Sequence, residues 1–289
     1  MRVTFMGTGT SHGIPVVNCD CPCCTSKDPK DTRFRCSIKV ESKNGTIVVV
    51  DTGPEFRLQT LKYGLPNLDS VFFTHSHADH IHGLDDLRIF AHVHADPSKN
   101  TTPLNIYASK YTNDDIRNRF DYVFKPTQFG GGKPALNLID CDSFTPKNPI
   151  VIGDLSVIPV PMMHGSIPTT GWIFNEGDTS FAYLTDCNYI APSSIELVKN
   201  CQTVVIDALR RKVHSTHFNF EQAIDVIKEL NGKNFYFTHL CHESTNVQIL
   251  EIIEELKEKA SIPSDVNIQT SYDGLVLELD GVKTTALDF

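Results

Sequence analysis

The stretch Thr74-His75-Ser76-His77-Ala78-Asp79-His80 packs three imidazoles and one carboxylate into the six residues from His75 to His80, directly after the apolar run Ser70-Val71-Phe72-Phe73. Nitrogen and oxygen donors without a thiolate suit zinc, manganese or iron better than calcium. His75 and His77, two apart, share one side of an extended segment, while Asp79 and His80 turn the other way as the strand ends. One loop can therefore feed two adjacent metals.

The same layout, an apolar strand that ends in a polar group, returns three times. Leu155 to Pro161 leads to His164, Phe181 to Leu184 leads to Asp186, and Phe235 to Phe237 leads to His239. On these residues the chain resembles the metallo-β-lactamase superfamily, whose first metal motif reads His-x-His-x-Asp-His as it stands here. The resemblance implies that His75, His77 and His164 hold one metal, that Asp79, His80 and His239 hold the other, and that Asp186 bridges them. It also implies that Asp51, at the end of Thr46 to Val50, supports the metal loop without binding metal. The expected catalytic cofactors are two divalent cations, zinc or manganese. Such a pair lowers the pKa of a bridging water and stabilises charge on the attacked and leaving oxygens, which is the chemistry of a hydrolase.

A second cluster, Asn18-Cys19-Asp20-Cys21-Pro22-Cys23-Cys24, is too rich in thiols for packing alone and suits a tetrahedral zinc. Here the resemblance narrows to the branch that contains the cyclic phosphodiesterase of phosphonate breakdown and the pyrroloquinoline-quinone pathway B protein. In that branch Cys-x-Cys-x-x-Cys and a distant histidine hold a structural zinc. Cys19, Cys21 and Cys24 match the spacing, Cys23 is the surplus thiol, and His242, three residues after His239, is the expected fourth ligand.

Catalysis is assigned to Asp79 and His217. A departing alkoxide needs a proton, a histidine supplies one near neutral pH, and His217 matches the branch position where a histidine reaches the substrate pocket. His214 competes for the role, and His-Ser-Thr-His before Asn219 could equally be helix-capping chemistry. His12, His82, His92 and His94 are read as surface, cap or supporting groups.

Composition limits the partners. The formal net charge is -9 and no long basic run appears, which argues against long nucleic acids, a transfer-RNA-processing nuclease included, but leaves a small anionic phosphodiester open. The start of the chain lacks the long apolar core of an export signal, no stretch approaches a membrane span, and nine cysteines is an odd number. The expectation is a cytoplasmic protein without a membrane or disulfide framework, folded as one hydrolase domain over 1–289; a homodimer is compatible with it. The expected function is phosphodiester hydrolysis of a small, cyclic or acyclic substrate. The alternatives are a thioester or lactam hydrolase and a biosynthetic protein of the quinone-pathway B type.

The elements that must position these groups are legible as periodicities. Val3 to Met6 reads as a strand that enters a glycine-spaced loop, Gly7 to Gly13, whose spacing is not a dinucleotide fingerprint. Lys43-Asn44-Gly45 marks a hairpin. Helices are expected over Glu55 to Tyr63, Asp85 to Ala91, Tyr111 to Phe120 and about Asn246 to Lys259, and one more behind an Asn219/Gln222 capping box. Phe129 to Pro134, with Gly130-Gly131-Gly132, is a lid candidate or a loop, and Val266 to Leu279 supplies closing strands. Strands that keep delivering ligands at their C-terminal ends, with helices between, imply an α/β fold: an αββα sandwich of two mixed sheets flanked by helices, with the site along one edge.

Overall fold

A computed structural model describes residues 1–91, 103–125 and 133–280, together with the backbone of 283–286. His92, His94 and the Gly130–Gly132 loop lie outside the described residues. Two eight-stranded sheets face each other. The first runs in the order β16-β15-β1-β2-β3-β4-β5-β6, from β1 (Arg2–Gly7), β2 (Ser37–Glu41), β3 (Ile47–Val50), β4 (Ser70–Phe72), β5 (Leu104–Ala108), β6 (Leu136–Asp140), β15 (Leu275–Glu278) and β16 (Lys283–Ala286). The second runs β11-β8-β9-β10-β12-β13-β14, with β7 (Ile150–Ile152) paired to β8. Its other members are β8 (Leu155–His164), β9 (Ile167–Glu176), β10 (Thr179–Leu184), β11 (Tyr189–Ile190), β12 (Thr203–Asp207), β13 (Asn234–Thr238) and β14 (Asn267–Thr270).

Both sheets are mixed. β3, β4, β5 and β6 are mutually parallel, as are β10, β12, β13 and β14, while β1–β2–β3 and β8–β9–β10 are antiparallel. The side-chain alternation of a strand decides what fills each layer. In β4 Phe72 points between the sheets, its ring 4.9 Å from Trp172 and 5.7 Å from Phe174, whereas Val71 belongs to the outer cluster. That outer cluster joins the first sheet to α1 (Phe56–Tyr63) and α3 (Lys110–Arg119) through Phe56, Ile106 and Ile116. The second sheet is covered by α5 (Pro192–Val198), α6 (Phe220–Ile227) and α7 (Asn246–Lys259), with Ile195, Ile224 and Ile253 in one apolar cluster. Sheets buried on both faces need near-continuous apolar strands, and at roughly 1.5–3 kcal/mol per buried large side chain these three clusters carry the fold. The layers are helix, sheet, sheet, helix, as expected. Among the described residues no helix is long and apolar enough to cross a membrane.

Two short helices, α2 (Ala78–Ile81) and α4 (Asp121–Phe124), complete the set. The expected helix from Asp85 to Ala91 is instead a 3-10 segment, Leu84–Ile89. Buried Leu84 and Leu87 are three apart, the spacing that a 3-10 turn stacks on one side. The capping box at Asn219 is present, with Gln222 closing it.

Candidate dinuclear metal site

Every candidate ligand sits at the end of a strand or just beyond it, at the same pole of the sandwich. β4 delivers the loop from Thr74 to His80, β8 ends on His164, Asp186 follows β10, and His239 follows β13. Three of the groups at this pole leave their strands in the left-handed region: Asp51 (φ 62°), Asp186 (φ 55°) and His239 (φ 60°). Left-handed backbone is tolerated best by Asp, Asn and Gly and is otherwise rare, and its occurrence at three polar strand ends marks a site where position outranks comfort. The metal loop is also pressed close. A Cβ on Gly53 would strike the Asp79 carbonyl and one on Gly83 would strike the Gly53 carbonyl, so only glycine lets these segments stack.

The side chains converge in two groups, the second of which contains Asp186. Ligand atoms of His75, His77 and His164 lie within 4.8 Å of one another, as do those of Asp79, His80, Asp186 and His239. Asp186 stands between them: Oδ1 is 3.1 Å from His239 Nε2 and 4.0 Å from His75 Nε2, and Oδ2 is 3.3 Å from His80 Nε2. Asp79 Oδ2 is 3.3 Å from His80 Nε2. Nε2 of His75, His80 and His239 is buried without a hydrogen-bond partner among the described residues, a cost that a bound cation would remove. The donor chemistry therefore fits divalent metal.

The shifts of His75, His77, His164, Asp79 and Asp186 agree with that fit, since ligands must be deprotonated. Burial lowers the pKa of His75, His77 and His164, which keeps them neutral. Burial alone would raise Asp186 and Asp79, but the neighbouring imidazoles, His239 and His80 for Asp186 and His80 for Asp79, pull both below the usual carboxylate range. His80 goes the other way: burial opposes its charge, yet Asp186, Asp79 and Asp51 raise its pKa.

Orientation comes from behind. Asp51 is fully buried; its Oδ2 lies 2.7 Å from His80 Nδ1, Oδ1 accepts the Thr74 amide at 2.9 Å, and Oδ2 accepts the Thr74 hydroxyl at 2.9 Å. One carboxylate thus holds a ligand ring and the start of the loop. His164 Nδ1 is fixed by the Thr216 carbonyl at 2.8 Å. A second carboxylate, Asp207 at the end of β12, holds His217: its Oδ2 meets His217 Nδ1 at 2.7 Å and the Cys187 amide at 2.8 Å. The His217 ring stacks on His239 at 4.5 Å and meets His164 edge-on at 4.5 Å. Burial works against its charge, but Asp207 raises its pKa to about 9. His214 is farther out and only half-buried, 5.2 Å from the His217 ring, with Nδ1 held by Thr216. Sequence reasoning left Asp207 without a role; its only signal was a carboxylate at a strand end ten residues before His217. His12 and His82 are exposed, and the His82 ring rests against Phe120 at 6.1 Å.

The cysteine cluster forms its own site. Sγ of Cys19, Cys21 and Cys24 lies 3.3, 3.5 and 3.6 Å from His242 Nδ1. A tetrahedral zinc with its usual bond lengths requires S···N edges of about 3.5 Å, so the set fits that ion. Burial opposes the Cys21 thiolate, but the Cys24 amide and hydrogen bonds from its neighbours bring its pKa down to about 6. Cys23 does not join them. It is buried, 3.8 Å from the guanidinium of Arg33, and desolvation pushes its thiol up to about 11, so it is a packed thiol and not a reactive one. Arg33, itself buried, also donates to the Cys241 carbonyl at 3.0 Å and ties this loop to the segment that carries His239 and His242.

The family described as the Beta-lactamase superfamily domain matches residues 46–240. An octanoyltransferase of Porphyromonas gingivalis is 36% identical over 291 residues, which cover 100% of this chain and 54% of that protein. The chain spans about half the length of the curated relatives that it matches first. Among solved structures, one described as a new diphosphatase from the PhnP family is 32% identical with a TM-score of 0.78 and covers 99% of both chains. Zinc-bound PqqB from Methylobacterium extorquens is 17% identical with a TM-score of 0.73, covering 96% of this chain and 100% of that one, a likeness of fold.

Proposed function

The chain belongs to the β-lactamase superfamily of metallo-β-lactamase-fold hydrolases, and from that premise we propose that it is a metal-dependent phosphodiesterase acting on a small anionic phosphodiester. The observation that carries this reading is the Asp207–His217 pair set against the ligand cluster: a leaving alkoxide needs a proton, whereas the thiolate of a thioester departs without one. The diphosphatase named above supports it as a relative of similar length.

His75, His77 and His164 would hold one divalent cation, Asp79, His80 and His239 a second, and Asp186 both; zinc or manganese suits the donors. When bound, the cations supply Lewis acidity and lower the pKa of water. The chain does the rest. Asp51 holds the His80 ring, and the Thr216 carbonyl holds His164. Asp207 keeps a proton on His217 Nδ1 and favours the imidazolium, so that the other ring nitrogen can give its proton to the departing oxygen. A ring atom of His217 lies within 4.8 Å of ligand atoms of both His164 and Asp186, close enough to reach a group bound over the cluster. Cys19, Cys21, Cys24 and His242 would hold a structural zinc with no open position. The reading takes 1–289 as one hydrolase domain in the cytoplasm, a location supported by nine free cysteines.

A second reading has its own observation. The Porphyromonas gingivalis relative is named an octanoyltransferase, which favours the acyl-bond alternative, although that name describes a protein almost twice as long as the matched segment. Purified, metal-loaded protein should turn over bis(p-nitrophenyl) phosphate and ribose cyclic phosphates well above octanoyl-thioester and nitrocefin. Faster thioester cleavage would replace the proposal with the second reading, and a protein purified with an empty ligand cluster and no turnover would favour a biosynthetic role.

A further inference from the structure

We propose that Arg119 binds a second anionic group of the substrate, next to the phosphoryl group under attack, and so selects diphosphate-like diesters over simple ones; this rests on the phosphodiesterase reading. The C-terminal end of α3 abuts the metal loop, where Phe120 meets His82. Ser76, between the ligands His75 and His77, donates its hydroxyl to Asp115 Oδ2 at 2.5 Å. Arg119, one turn later on the same helix, brings Nη2 only to 3.8 Å of that same oxygen.

That oxygen is already engaged by the shorter bond, so the guanidinium is steered to the edge of the metal loop without being consumed there. Its charge is felt at His77, where burial is the larger effect. Arg35, Arg210 and Arg211 are each held by a nearer carboxylate: Arg35 by Glu55, Arg210 by Glu243 at 2.6 Å, and Arg211 by Glu255 at 2.5 Å. A planar fork of five donors whose ion pair with Asp115, at 3.8 Å, is long and shared with the Ser76 hydroxyl keeps donors for a phosphoryl group, which a guanidinium binds well.

The probes are ADP-ribose, with two adjacent phosphoryl groups, bis(p-nitrophenyl) phosphate, with one, and the non-hydrolysable α,β-methylene-ADP. Arg119→Gln should weaken α,β-methylene-ADP binding in calorimetry by about 10- to 100-fold, the worth of a charge-assisted contact. It should raise KM for ADP-ribose at least about tenfold more than for bis(p-nitrophenyl) phosphate, and Arg119→Lys should restore part of the loss. Equal losses on the two diesters, unchanged α,β-methylene-ADP binding, or loss of metal from the Gln variant would overturn the assignment, the last by showing that Arg119 acts on the metal loop through Asp115. A wild-type protein inert toward both diesters would fail the phosphodiesterase reading, and the binding comparison would still decide the role of Arg119.

Discussion

Replacing Asp207 with asparagine separates proton donation from metal binding. Asp207 is fully buried, and among the described residues it touches no ligand of the cluster by hydrogen bond; its Oδ2 serves His217 and the Cys187 amide. An asparagine oxygen can still accept from that amide, but the neutral side chain no longer favours the imidazolium. The His217 pKa, held at about 9 chiefly by Asp207 against burial, should fall to its ordinary value near 6.5 or below. At pH 8 the protonated fraction then drops from about 90% to about 3%, roughly a 30-fold loss of the donor. Bound dications lower both values alike, so the displacement between wild type and variant is the quantity to read. The assay is a pH–rate profile on two diesters that differ only in leaving group, an alkyl alcohol against p-nitrophenol. Asp207→Asn should move the alkaline limb for the alkyl ester down by about two units or more and leave the p-nitrophenyl profile nearly in place, because p-nitrophenolate departs unprotonated. Equal losses on both esters, or an unmoved alkaline limb, would refute the role given to His217.

Two further outcomes test the surroundings of the site. Cys21→Ser should remove about one zinc per chain and lower Tm, while Cys23→Ala should keep the zinc, as measured by metal analysis and calorimetry; the reverse pattern would mean that the tetrad is misassigned. Asp273 is half-buried, and its carboxyl accepts from the Phe34 amide at 2.6 Å and the Thr8 hydroxyl at 2.8 Å, while desolvation raises its pKa to about 7. Because its folded pKa lies above the unfolded value, it imposes no penalty below about pH 4, a growing one as pH rises, and a full one of roughly 4 kcal/mol above about pH 7. Asp273→Asn should therefore flatten the fall in denaturant stability between pH 4 and 7, and an unchanged slope would show that another group titrates there.

How far the sequence could be read depends on whether chemistry lies along the chain or across it. His75, His77, Asp79 and His80 share one loop, and His164, Asp186 and His239 each follow an apolar strand, so the pattern of strand then polar group exposes them all. The layer order followed from the same pattern, since strands buried on both faces demand helices outside. Asp207 was overlooked because a strand-end aspartate looks the same whether it caps a turn or holds an imidazole. Ser76, Asp115 and Arg119 are invisible for a similar reason: the link between the metal loop and α3 spans 39 residues and exists only when the first sheet is assembled. Cys23 illustrates the converse: the spacing leaves it as the surplus thiol, and packing against Arg33 shows where it goes.

The most direct test of the account is turnover of bis(p-nitrophenyl) phosphate by metal-loaded wild type and by His77→Ala, with metal counted in both. His77 contributes to the three-imidazole group alone, its ring 4.5 Å from His75 and 5.1 Å from His164. The account predicts about three metals per chain in the wild type, about two in the variant, and a loss of diesterase activity on the order of a hundredfold or more, as expected when one cation of a two-metal site is removed. Equal turnover by the two proteins, or turnover by wild type that survives with the ligand cluster empty, would contradict it.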